Sequence, residues 1–255
     1  MTLADLFMIG TALAASLLTL ISGFGLGTLL LPVFALFFPL ELAVGMTAVV
    51  HLLNNLFKFG LLWRAVDRQV VARFGIPGVL GAWVGARLLV IVGELPYVYP
   101  GILHPVSVLA VIIGLLMIVF ALFELVPSLS TWSLPPTYMP AGGLLSGFFG
   151  GLSGHQGALR SVFLLRAGLG KETFIATGIA IALLVDLTRI PIYMGQLDPA
   201  YWTGTWRLLV ATTLAAFLGA WLGKRLIPKI TLTGVRYTVG GLMLLIALAL
   251  ISGLI

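Results

Sequence analysis

The stretch GGLSGHQGALRSVFLL, Gly150 to Leu165, sets Ser153, His155, Gln156, Arg160 and Ser161 between two apolar runs. These side chains suit the handling of an anion. A histidine donates a hydrogen bond or takes up a proton near neutral pH. Gln156 donates and accepts, and the guanidinium of Arg160 offers a fixed-charge fork to an oxyanion. Each also has a plainer reading. His155 or Gln156 can hold a turn by bonding a neighbouring carbonyl, and Arg160 can snorkel or pair with a carboxylate. A second cluster, HLLNNLFK (His51–Lys58), spaces His51, Asn54, Asn55 and Lys58 so that most share one helix face. His51 and Asn54 are the stronger candidates there, and Lys58 is expected nearer the membrane surface. In VDLTR (Val185–Arg189), Asp186 and Arg189 form an i,i+3 pair that can neutralise itself. Thr47 and Thr177 are expected to bond their own backbone.

These groups stand in a chain of 255 residues that is 60% hydrophobic and 9% charged, against about 25% charged in soluble domains. Its apolar runs are long and unbroken, so membrane helices are the reading rather than the alternation of a membrane barrel. The net charge of +6 resides largely in short loops, where it sets topology and does not call for nucleic acid. The absence of cysteine excludes disulfides, thiolate metal sites and thiol catalysis. His51, His104 and His155 are dispersed and lack a carboxylate motif, so neither a metal nor another cofactor is expected. GFGLG (Gly23–Gly27) lacks the strand and lysine of a nucleotide loop. The first apolar segment has no basic leader and no cleavage site, and reads as a retained helix.

Apolar segments fall at 3–22, 26–38, 42–63, 74–93, 104–123, 137–153, 155–167, 174–194, 206–223 and 237–254. Most are long enough to cross a ~30 Å hydrocarbon core. Segments 26–38 and 155–167 span only about 20 Å at ~1.5 Å per residue. Each follows a glycine-rich break, SGFGLG (Ser22–Gly27) or GGLSGHQG (Gly150–Gly157). Short, glycine-interrupted segments at matching places in two halves point to a transporter binding site. The halves do match in order: Ser22-Gly23 with Ser153-Gly154, Lys58 with Arg189, GAWVGARL (Gly81–Leu88) with GAWLGKRL (Gly219–Leu226), and GLLM (Gly114–Met117) with GLML (Gly241–Leu244). The chain therefore divides into a first repeat, 1–126, a linker, 127–136, and a second repeat, 137–255. The two GAW motifs are small-xxx-small surfaces for close helix packing.

Positive-inside places loop 64–73, the turn 167–174 and the stretch 224–236 in the cytoplasm. Their partner loops, 195–206 and 87–103, are poor in Lys and Arg. Equivalent loops on opposite sides mark inverted-topology repeats, and inversion needs an odd number of crossings per half. A re-entrant or broken hairpin plus three full spans meets that count. Five crossings would meet it too, although the short segments fit that poorly. The expected fold is thus all-α, with two hairpins (3–38 and 137–167), six full spans and both termini outside. The central linker would be cytoplasmic although it carries no Lys or Arg. The hairpin tips would meet near the midplane, aiming the N-termini of the helices beginning near Leu26 and Gly157 at a shared centre. The candidate substrate-binding residues are Ser22, Gly23, Gly25, His51, Asn54, Ser153, Gly154, His155, Gln156 and Arg160.

The doubled pattern, SGFGLGTLLLPVFALFFPLELAVGMTAVVHLLNNLFKF with LSGHQGALRSVFLLRAGLGKETFIATGIAIALLVD, resembles the sulfite exporter family, TauE/SafE, over nearly the whole chain. The resemblance implies a multi-pass permease of the bacterial inner membrane that exports sulfite, a sulfonate or a related small anion. It implies no enzyme activity and no nucleic-acid partner; the partners are a small anionic substrate and the lipid bilayer, with monomer and homo-oligomer both open. The second repeat departs from the family's glycine-richer turn in having SGHQGA (Ser153–Ala158), at the residues that would read the substrate. The alternatives are transport of a metal ion or amino acid, or a membrane enzyme or factor that transports nothing.

Overall fold

A computed structural model describes residues 2–22, 26–130, 133–196, 199–226 and 232–255. Ten principal helices follow one another: α1 (Leu3–Ser22), α2 (Gly27–Ala35), α3 (Leu40–Leu62), α4 (Arg68–Gly93), α5 (Val108–Leu125), α6 (Met139–Ser153), α7 (Gly157–Leu164), α8 (Lys171–Gln196), α9 (Pro199–Leu226) and α10 (Leu232–Ser252). A π-helical turn at Val71–Gly75 lies within α4. Among the described residues, five helical stretches are long and apolar enough to cross a membrane: Leu40–Ala65, Arg68–Gly93, Val108–Leu125, Lys171–Gly195 and Trp202–Gly223. Leu3–Leu18 and Arg236–Ser252 are shorter apolar helices. The two short helices expected after the glycine breaks are α2 and α7, with 9 and 8 residues.

The packing pairs each half with the other. Helix α4 lies along α6, and α1 lies along α9, so the first helix of each half packs on the fourth of its partner. Helices α3 and α8 pack on one another, as do α5 and α10. Glycine makes the first two seams possible. A Cβ at Gly81 or Gly85 would run into the carbonyl oxygens of Leu144 and Phe148 on α6. Reciprocally, Gly143, Gly147 and Gly151 sit against the backbones of Phe74, Gly78 and Ala82. On the other side, Gly219 and Gly223 press on the carbonyls of Leu13 and Leu17. The sequence-identified GAW motifs are therefore the contact surfaces of these two seams. In lipid, where there is little hydrophobic gain from bringing helices together, such close backbone approach supplies the van der Waals contact that holds them.

Two boundaries differ clearly from the sequence reading: α9 begins at Pro199 and not at 206, and α5 begins late. The apolar run expected at 104–123 becomes helical only from Val108. Val98 and Tyr99 pair with Ser107 and Val106 in a small antiparallel hairpin. Its tip joins the chain's end: Ile102 N–H donates to the Ser252 carbonyl at 2.7 Å, and His104 N–H to Gly253 at 2.9 Å. Ser107 then caps α5 by accepting from Ala110 N–H at 3.1 Å. Hydropathy alone does not register this, because backbone pairing with a segment about 150 residues away sets the start of the helix.

The glycine seam gives a direct test. Gly147→Val drives a branched side chain into the Gly78 backbone, which cannot yield as a side chain would, so the cost exceeds the ~1–3 kcal/mol of ordinary overpacking. Gly10→Ala, at an exposed site with nothing within 4 Å of the added carbon, should be neutral or slightly stabilising. Melting curves of the purified variants in detergent should show a large loss for the first and none for the second.

Candidate functional site

Helix α6 ends at Gly154, which adopts φ +81 and donates its N–H to the Gly150 carbonyl at 2.9 Å. Only glycine takes that left-handed conformation without strain, so the break is set by sequence. The chain turns through His155 and Gln156 and re-enters a helix at Gly157, whose first turn has no side-chain cap. The N–H groups of that turn lack the intrahelical partners that later residues have. Ser153, His155, Gln156 and Arg160 are all buried, His155 and Gln156 to 1% exposure.

The start of α2 lies beside the second break. A Cβ built on Gly27, at the start of α2, would stand 3.6 Å from the Gly154 carbonyl and 3.4 Å from the Thr47 methyl. Gly23 and Gly25 fall outside the described residues, and the side chain of Ser22 does so too.

Several polar atoms at the second break have no hydrogen-bond partner among the described residues: His155 Nε2, both amide atoms of Gln156, Arg160 Nη1 and, across from Gly27, Thr47 Oγ1. The other end of His155 is fixed. Its Nδ1 lies 3.2 Å from Ser153 Oγ, and its ring stacks on Phe120 at 5.5 Å between centroids with planes 7° apart. Arg160 lies against Gly178 of α8, where an added Cβ would come 3.3 Å from its Nε. Ser146 donates to the Gln156 carbonyl at 3.0 Å, anchoring the backbone and leaving the amide unengaged. Unsatisfied buried donors cost free energy each, so several of them within six residues are a binding-site signal.

Beside this turn stands an ionic centre. Asp186 Oδ1 accepts from Arg189 Nε at 2.9 Å, and Nη2 of the same arginine lies 2.7 Å away at an angle too poor for a hydrogen bond. Asp186 Oδ2 meets His51 Nδ1 at 2.6 Å, joining α8 to α3. Arg189 Nη1 donates to the Gly150 carbonyl at 3.0 Å, and the Tyr193 hydroxyl donates to that of Gly151. The last turn of α6 thus hangs from α8.

The structure separates the sequence candidates. Ser153, Gly154, His155, Gln156 and Arg160 come together at the second break. His51 is committed to Asp186, with Asn55 Nδ2 3.2 Å from its ring. Asn54 bonds Ser16 of α1, and with its amide turned to satisfy its neighbours it accepts from Lys58 Nζ at 3.0 Å and faces the Ala216 carbonyl at 3.3 Å. Lys58 is buried against neighbouring helices, at 5% exposed. Thr47 does not bond its own backbone, and Thr177 accepts from Asp67 N–H at 3.0 Å. Asp186 and Arg189 do pair, as the spacing allowed. Their union with His51 was missed, although three ionisable residues in otherwise apolar helices were the available signal. Phe120 carried no signal at all. Among the described residues no group of His, Cys, Asp or Glu could hold a metal ion.

The described helices are those of an all-helical, multi-pass membrane protein with buried polar groups at a helix break. The sulfite exporter TauE/SafE family profile matches residues 8–250, and the chain belongs to that family. The family is one of membrane transporters of sulfur anions. No curated protein matches the chain.

Asp186→Asn should leave the buried Arg189 guanidinium without its carboxylate and His51 without its acceptor. The expected loss is about 3–5 kcal/mol, the cost of breaking a buried pair from one side. Denaturant titration of the detergent-solubilised protein measures it; a loss below ~1 kcal/mol would mark the pair as solvated.

Proposed function

We propose that the protein is a permease that exports a small sulfur-containing anion, such as sulfite or an organosulfonate, across the bacterial inner membrane. The observation that carries this reading is the run of buried donors without partners among the described residues along Gly154–Arg160: His155 Nε2, the Gln156 amide, Arg160 Nη1 and the uncapped start of α7. A tetrahedral or pyramidal oxyanion presents several acceptor oxygens at once. Arginine, imidazole and peptide N–H groups match them, and the helix N-terminus adds positive potential. Within this reading Ser153, Gly154, His155, Gln156 and Arg160 make the second-repeat half of the site, and Ser22, Gly23 and Gly25 the first-repeat half. His51 and Asn54 support it from behind through Asp186 and Ser16.

The halves are proposed to be inverted repeats, 1–126 and 137–255, joined by 127–136, with the tips near the bilayer midplane. Three observations support the sidedness. Asp5, Phe38 and Arg207 surround one cleft, so the N-terminus, the α2–α3 turn and the start of α9 share a face. The 98–107 hairpin bonds the C-terminus. Arg236 Nη2 donates to the Phe123 carbonyl at 3.2 Å, placing the start of α10 beside the end of α5. All three match both termini outside and the central linker inside.

Transport needs no ATP in this scheme. A monoanion leaving a cell that is negative inside gains about 2.3 kcal/mol per 100 mV.

Two experiments test the reading. Methanesulfonate and sulfite binding to the purified protein, measured with melting temperature, should fall about 10- to 150-fold in Arg160→Gln and His155→Ala, the equivalent of losing roughly 1.5–3 kcal/mol of charged hydrogen bond. Unchanged affinity with a lowered melting point would make these residues packing elements. In the cysteine-free chain, single cysteines at positions 64 and 96 should label from opposite sides of the membrane, and those at 64 and 166 from the same side. The reverse pattern would contradict the inverted arrangement.

A further inference from the structure

We infer that Lys58 is an anion ligand contributed by the first repeat, and that Lys58 and Arg160 together make the site selective for a divalent oxyanion over a monovalent one. The inference rests on the anion site described above and deepens it by naming the charge of the substrate and a residue that reads it.

The observation is a buried cation without a counter-ion. Lys58 is 5% exposed. Its ammonium has three N–H groups, and the Asn54 amide oxygen takes one of them at 3.0 Å. Among the described residues no carboxylate lies within 4 Å of its Nζ, and no other group accepts from it. The first repeat brings no acidic residue to this region: neither Asp nor Glu occurs between positions 6 and 40 or between 42 and 66. A bond to Asn54 is made as well by a neutral amide. A charge kept there at the cost of burial needs a partner of opposite sign.

The second repeat shows where such a charge points. Arg189, the match of Lys58, reaches the Gly150 carbonyl and lies beside Gly154. Lys58 faces the later turns of α1 in the same manner, since Asn54, which holds it, bonds Ser16. The two repeats differ at one position. Three residues before Arg189 stands Asp186, which neutralises it; three residues before Lys58 stands Asn55, which carries no charge. Two helical turns, ~10 Å, separate Lys58 from His51 on the same face of α3. His51 in turn meets Asp186 beside the second break.

The charge count names the occupant. The buried charged side chains among the described residues are Lys58, Arg160, Arg189, Asp186 and Glu124, with His51 and His155 beside them. Asp186 balances Arg189, and Glu124 pairs with Arg236 at 3.6 Å. Asp186 also attracts Arg160, but one carboxylate cannot cancel two guanidinium groups. Lys58 and Arg160 are therefore left in excess, and a protonated histidine only adds to them. A dianion cancels that excess; a monoanion leaves part of it in a medium of low dielectric. A dianion leaving the cell also gains twice what the inside-negative potential gives a monoanion.

The test compares thiosulfate with methanesulfonate. Both carry a pyramidal SO3 group and one further substituent of similar size, and in the neutral range the first is a dianion and the second a monoanion. Isothermal titration calorimetry on the full chain in detergent, at matched ionic strength, should show thiosulfate bound at least about tenfold more tightly. Lys58→Gln keeps a donor for Asn54 and removes the charge. Losing one charged hydrogen bond costs the monoanion about tenfold in affinity; attraction scales with ligand charge, so the dianion loses about a hundredfold and the preference shrinks about tenfold. Lys58→Met, without charge or donor, should shrink it likewise, and Lys58→Arg should restore it. Equal affinities in the wild type, or tighter methanesulfonate, overturn the inference without any variant. A preference unchanged in both Lys58→Gln and Lys58→Met also overturns it and makes Lys58 a packing element. No binding of either anion, with sulfite tested alongside, overturns the permease reading itself.

Discussion

The structure depends on one constraint: backbone that leaves the helical pattern inside lipid must find its hydrogen-bond partners within the protein. The Gly154–Gly157 turn breaks that pattern, and the surrounding helices supply what lipid cannot. Arg189 donates to the Gly150 carbonyl, Tyr193 to that of Gly151, and Ser146 to that of Gln156. Those donors reach the turn because α6 lies backbone-to-backbone on α4, through glycines at four-residue spacing on α6. Replacing these glycines would push α6 outward and separate the turn from α8. The small residues of one element thus determine whether the polar residues of another can be buried.

Charge follows the same logic. A buried ion persists only with a partner of good geometry. Asp186 serves as that partner for Arg189, and its contact with His51 ties α3 to α8. Arg160 and Lys58 are buried as well, and the described contact of Lys58 is an amide. The middle of the protein accordingly carries more positive than negative charge. That imbalance is poorly suited to a cation pathway and well suited to an anion, which restores neutrality when it binds.

Much of this was legible in the sequence because it is local. Helices announce themselves by hydropathy and length, and both breaks by glycine clusters followed by a short apolar segment. The GAW motifs revealed both tight seams, since small residues at four-residue spacing have few other uses in lipid. What escaped depends on distance along the chain. His51 meets Asp186 across 135 residues, and neither residue's neighbours point to the other. The burial of Lys58 was not legible because hydropathy registers one helix and not the helices packed around it. The second strand of the 98–107 hairpin fell inside the apolar run expected at 104–123 because its pairing partners lie outside that run.

The central claim is that the anion sits at the two glycine breaks and is held by the donors of the second. The most direct test is a structure of the protein with 2-bromoethanesulfonate, in which the anomalous signal of bromine locates the ligand without reference to fitted side chains. The account predicts a peak beside Gly154–Gly157, with the sulfonate oxygens within hydrogen-bond distance of Arg160 Nη1 and His155 Nε2. A fully occupied peak elsewhere, with those two atoms satisfied by protein groups, would contradict it.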